Sequence, residues 1–208
     1  MGMTIAEKVL ARASGTSEVR AGDLVHAKID LHYTPEDGMA EVHRRLVKAG
    51  LPDGLPKVAD PERLAVMLGD HQGCHARPAD AAAYQLSREL ARRYGIARLY
   101  DIDMGVAHVT VCEEGMARPG MLICGKDSHT TTAGAVNAVA VPVSAVETAW
   151  IYATGELWFR VPETVKIVCN GRLSDGVVSK DVFLYIIGKY TSSLGQYKSV
   201  EWRRSEER

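Results

Sequence analysis

At 208 residues and 46% hydrophobic, the chain can bury a substantial core and is long enough for one large domain, or one domain and a piece of another. Its 25 basic and 26 acidic side chains give a formal net charge of −1, and no run of about five like charges occurs, which argues against nucleic acid or an anionic membrane as the main partner. No segment approaches the roughly 18 apolar residues of a membrane span, Glu7 and Lys8 interrupt the start where a signal peptide needs an apolar run, and Cys74, Cys112, Cys124 and Cys169 form no Cys-x-x-Cys, so a reduced, cytoplasmic protein is expected.

The first element is a helix in "MTIAEKVLARASG", with Thr4 as N-cap, Gly15 as stop, and Ile5, Val9 and Leu10 on one face. "DLVHAKIDL" reads as one strand, and "DGMAEVHRRLVKAG" as a helix ending at Gly50. After the turn-rich "LPDGLPK", Asp60-Pro61 opens a short helix or turn, and "LAVMLGDH" is an apolar run ending in two ionisable residues. Residues 79–94 form the clearest helix, with Ala82, Leu86 and Leu90 on one face. Short apolar runs follow at "ARLYDI" and "AHVTV", and "PGMLICG" supplies a buried strand. The stretch "AGAVNAVAVPVSAVETAWIYATG" is partly helical, with a break at Pro142. "TVKIVCNG" is a strand, "KDVFLYIIGKY" is apolar enough for a buried helix, and "VEWRRSEER" reads as a charged tail. Strands alternating with helices predict an α/β architecture with a largely parallel sheet, whose function gathers where strands end.

Three ionisable clusters stand at such positions: Asp70-His71, His108 after a strand-like "GVA", and Asp127-Ser128-His129 in "CGKDSHTTTAG". A carboxylate beside an imidazole fixes its tautomer and raises its basicity, so such a pair can exchange a proton near neutral pH. Two pairs facing each other would suit an elimination, and Ser128 would serve as proton carrier or oxyanion donor. Any one histidine is as often structural, and Asp, Ser and Thr also cap helices. A nucleophilic triad on Ser128 or Cys124 ranks lower, because the Gly-x-Ser-x-Gly elbow is absent and Cys124 lies in an apolar strand. His71 and His75, four apart, would share a helical face as metal ligands, although Gly73 and Pro78 oppose a helix there.

In order along the chain, "MTIAEKVLA", the "DH" at 70 and 71, "YDIDMGVAHVTVCEEGMARPGMLICGKDSHT", "GELWFRVPETVKIVCNGRL" and "GVVSKDVFLYIIG" resemble the aconitase superfamily, and within it the N-terminal half of the 3-isopropylmalate dehydratase and homoaconitase large subunits. The resemblance implies an aconitase-type three-layer first domain over residues 1–160 and the beginning of a second domain over 161–208. It implies a hydro-lyase that dehydrates and rehydrates a small hydroxy polycarboxylic acid. In the family a [4Fe-4S] cluster acts as Lewis acid. Carried over by motif, Asp70, His71, His108, Asp127 and His129 are the catalytic candidates, with Asp127 pairing His108 and Asp70 pairing His71 to protonate the leaving hydroxyl. Ser128 and Glu41 are the substrate-binding candidates, Glu41 standing near a family glutamine.

The family's cluster cysteines follow one Cys with a distant Cys-x-x-Cys, a pattern that the four cysteines here do not reproduce, so no cofactor is expected in this chain alone. A cluster-bearing domain or subunit and a small swivelling subunit, which carries the family's base serine and carboxylate-binding arginine, are the expected partners. Pro142 and Glu147 stand where the family more often has glycine and aspartate. Two other readings remain open: a non-catalytic binding or assembly subunit, which would form a homo-oligomer, and a cluster-free zinc or iron(II) site drawn from Asp70, His71, His75, His108, Asp127 and His129.

Overall fold

The computed structural model describes residues 2–70 and 78–204. Its first helix, α1 (Ile5–Ser14), starts on a capping box in which Thr4 and Glu7 satisfy each other's backbone N–H, and it stops at Gly15 with φ 72°. Val9 and Leu10 are buried as expected, together with Ala6, whereas Ile5 is 41% exposed. The segment expected as one strand is two: β1 (Leu24–Lys28) and β2 (Leu31–Pro35), which join different sheets. Asp30 forms the corner between them. Its carboxylate accepts the Leu122 N–H at 2.8 Å and binds Arg12, both distant in sequence.

Strand β2 is the centre of a five-stranded parallel sheet with β3 (Leu64–Met67), β4 (Arg98–Tyr100), β5 (Leu122–Gly125) and β6 (Val139–Pro142), ordered β4-β3-β2-β5-β6. Strand alternation sends Leu64 and Val66 to one face, with α2 (Gly38–Lys48), α3 (Pro78–Arg93) and α5 (Ala145–Thr154). Ala65, Met67 and Ile123 point to the other, with α4 (Ala107–Glu113) and the 3-10 turn Thr130–Val136. Helix α1 and the antiparallel pair of β1 with β7 (Glu156–Arg160) pack over Leu122 and Cys124 in a third cluster. The result is the expected three-layer α/β arrangement. On α3 the buried face is Ala83, Tyr84, Ser87, Leu90 and Ala91, and Ala82 points to solvent.

Three further expectations need correction. The "GVA" before His108 is not strand-like but leads into helix α4, at whose start Asp70 Oδ1 accepts the Ala107 N–H at 2.5 Å. "VEWRRSEER" is not a tail throughout: β9 (Lys198–Arg204) pairs in parallel with β8 (Glu163–Cys169) from Glu163↔Lys198 to Cys169↔Arg204. The apolar helix α6 (Ser179–Tyr190), which connects these two strands, has no buried residue, and Phe183, Leu184 and Tyr185 are 50–66% exposed. Among the described residues no helix is long and apolar enough to cross a membrane.

Candidate active site

The carboxyl ends of β2 and β5 lie side by side, with Tyr33 registered opposite Gly125. Just beyond Gly125, the Asp127 carboxylate gathers three donors. Oδ1 accepts the His129 N–H at 2.9 Å, while Oδ2 accepts the Tyr33 hydroxyl at 3.1 Å and lies 3.2 Å from His108 Nδ1. With a carboxylate as partner, His108 presents its Nδ1–H to Asp127, which leaves Nε2 as the nitrogen that can take up or release a proton. Gly125 makes this packing possible: a Cβ there would lie 2.5 Å from Tyr33 Cε1 and closer still to Thr130 Oγ1. Burial, reinforced by the Asp127 charge, pushes the Tyr33 hydroxyl well above its ordinary pKa, so it stays a donor.

His129 is mostly solvent-facing, its side chain 68% exposed, and its ring stacks on His108 with centroids 4.8 Å apart. Ser128 Oγ lies 3.1 Å from His129 Nδ1. His108, Asp127 and His129 each offer one ligand atom, all within 4.8 Å of one another, a set with the donor chemistry of a divalent cation site.

Glu41, on the first turns of α2, meets the same wall from the other side. Its Oε2 accepts from Lys126 Nζ at 2.7 Å, and its Oε1 from Arg45 at 2.7 and 2.9 Å. The Lys126 hydrogen bond, helped by Arg45 and opposed by partial burial, holds the Glu41 carboxyl below the usual range. Glu41, Lys126, Asp127, Ser128, Pro142 and Ser144 line an open cavity of about 320 Å³. Ser144 caps α5 there in a capping box with Glu147.

Of the residues singled out in the sequence, His108, Asp127, Ser128 and His129 come together, and Glu41 lines a cavity with two of them, Asp127 and Ser128. Asp70 reaches the group through the start of α4, one residue before His108. His71, Cys74 and His75 lie outside the described residues. His108 itself is in the first turn of a helix, not at the end of a strand. Tyr33 and Lys126 were missed. Lys126 had a signal in the sequence, a cation directly before Asp127, whereas the role of Tyr33 depends on strand register.

The aconitase family (aconitate hydratase) model matches residues 37–204. The chain belongs to the aconitase family. It is 42% identical over 202 residues to the 3-isopropylmalate dehydratase large subunit 1 of Pyrococcus furiosus, covering 97% of this chain and 46% of that one. Identity is 39% over 206 residues to the 3-isopropylmalate dehydratase large subunit 1 of Methanopyrus kandleri, with 97% and 47% covered. It is 39% over 201 residues to the probable methanogen homoaconitase large subunit of Methanothermobacter thermautotrophicus, with 96% and 46% covered. The chain thus spans about half the length of the curated relatives it matches.

The family's iron–sulfur cluster needs converging thiolates. Among the described residues the cysteines do not supply them. Cys124 packs on one face of the sheet and Cys112 on the other, while Cys169 is in β8. Burial also pushes the Cys124 thiol far above its ordinary pKa, keeping it neutral. The cysteines described here do not fit a cluster.

Proposed function

We propose that this chain forms one wall of the active site of a hydro-lyase that removes and re-adds water on a small hydroxy polycarboxylic acid. The observation that carries this reading is the Asp127–His108 pair, which faces the ends of parallel strands within the family-matched span. In the dehydration direction a C–H bond and a C–O bond break and a C=C bond forms. His108, held by Asp127 through Nδ1, donates a proton from Nε2 to the departing hydroxyl, which leaves as water. Tyr33 and the His129 N–H stabilise the Asp127 charge that keeps His108 in place. Ser128 Oγ is a donor to substrate oxygen, and the base for the carbon-bound proton would come from parts of the site beyond these residues.

In the same reading residues 161–208 begin a second domain, the protein works in the cytoplasm, and its partners are a cluster-bearing domain or subunit and a small swivelling subunit. The test is anaerobic assembly of the chain with the remaining half of a relative's large subunit and its small subunit, followed by a dehydration assay. Turnover that falls at least about a hundredfold in His108→Ala supports the reading. Full turnover in that variant, or none with wild type, overturns it.

A second reading, a mononuclear divalent cation on His108, Asp127 and His129, is favoured by the closeness of their ligand atoms. Zinc or iron bound without acid-labile sulfide, and lost in His129→Ala, would support it. A metal-free protein after incubation with either ion would remove it.

A further inference from the structure

We propose that Lys126 is the receptor for a substrate carboxylate, a specificity-determining residue beyond the Asp127–His108 pair, and that Glu41 is the resident counterion it releases when that carboxylate arrives. This rests on the hydro-lyase reading and names what its cavity selects.

Lys126 is held at three points. Its backbone N–H donates to the Tyr33 carbonyl at 3.0 Å, which places it directly after β5. Its stem crosses the first turn of α2 at Gly38, where a Cβ would sit 3.1 Å from Lys126 Cδ. Its ammonium reaches Glu41 at 2.7 Å, and the side chain, 21% exposed, lines the cavity. Long, flexible lysines on open surfaces are not fixed in this way.

The surroundings favour an anion. The first turns of α2 and α5 both border the cavity that Lys126 lines, and their backbone N–H groups add positive potential. The neighbouring acids are already engaged: Asp127 by three donors, and Glu147 by the Ser144 N–H at 2.7 Å. Glu41 differs because its two oxygens serve different cations. If Lys126 turns to an incoming carboxylate, Oε1 keeps its two bonds to Arg45, so the exchange strands no charge. The pair being released is partly exposed, the kind that contributes little to stability. A cavity of about 320 Å³ is at the lower end of small-molecule sites, which suits a short hydroxy acid.

The test is calorimetric titration of the full chain with L-malate, a hydroxydicarboxylate, and with its uncharged dimethyl ester. Wild type should bind malate and not the ester. Lys126→Met should weaken malate binding about tenfold, the loss of one charge-assisted hydrogen bond, and Lys126→Arg should restore most of it. Glu41→Gln should tighten binding several-fold by removing the competing carboxylate. No malate binding by wild type, or unchanged binding in a Lys126→Met variant whose circular dichroism is native, overturns the proposal, as does weaker binding in Glu41→Gln. Failure of the function itself looks different. Lys126-dependent malate binding with no turnover in the assembled enzyme sinks the hydro-lyase reading alone, whereas turnover with an unchanged KM in Lys126→Met sinks the lysine assignment alone.

Discussion

Helices α5 and α6 are both rich in apolar residues, yet they live in different surroundings. Helix α5 buries Ala145 and Tyr152 with α2 and α3 and Ile151 with the β1–β7 pair, whereas α6 has no buried residue. The same contrast runs through the strands. β5 is buried at every position, while β8 alternates between exposed and half-exposed. Apolar content therefore says that a segment can be covered, and only tertiary contacts say whether it is.

The largest expected effect separates the regions through acid. His32, fully buried on β2, is edge-on to Tyr152 and 3.3 Å from Thr34 Oγ1. Burial pushes its pKa down to about 3, from 6.5. The unfolded chain binds that proton first as pH falls. The stabilisation from keeping His32 neutral is thus complete above pH 6.5 and drains away down to about 3. By pH 4.5 the loss should be on the order of 3 kcal/mol. Urea melts of wild type and His32→Asn should converge over that window, and parallel curves would show that another group controls it.

Core truncation should give a comparable effect in one region and little in the other. Leu122→Ala, in β5, should cost roughly 2–5 kcal/mol, and Phe183→Ala, half exposed on α6, less than about 1 kcal/mol. Similar costs at both sites would erase the distinction. Next comes Gly125→Ala, where the new methyl must displace Tyr33 and Thr130, at about 1–3 kcal/mol. Histidine NMR resonances should report movement of His108 in that variant, and an unmoved His108 would mean that Asp127 does not need Tyr33. A smaller effect than these core changes is expected of Thr4→Ala, which removes the α1 cap at about 1 kcal/mol in a thermal melt.

These regions also mark how far the sequence could be read. The cap at Thr4, the stop at Gly15 and the span of α3 to within a residue were legible because their causes are local. The corner at Asp30 was not, since its carboxylate answers to Leu122 and Arg12. Val favours strands, so "GVA" reads as strand-like, yet it opens helix α4, whose first N–H is met by Asp70, 37 residues earlier. Within the site, residue types and their motif were readable, but the distance between Asp127 and His108, the Tyr33 brace and the Lys126–Glu41 pair depend on which strands are neighbours.

The neighbourhood of β2 and β5 has a consequence for the order of events during synthesis. Tyr33 and Asp127 are separated by 94 positions in the chain, yet they bond at the centre of the sheet. Parallel pairing over such a span forms slowly, because a long loop must close before any contact offsets its entropy. A nascent chain that has emerged only as far as α4 can pair Tyr33 with Ala65 of β3, but the other edge of β2 still lacks β5. The wall that would hold a substrate is therefore assembled late, after the ribosome has delivered β5, and a pause before Leu122 would leave the Tyr33 hydroxyl without Asp127.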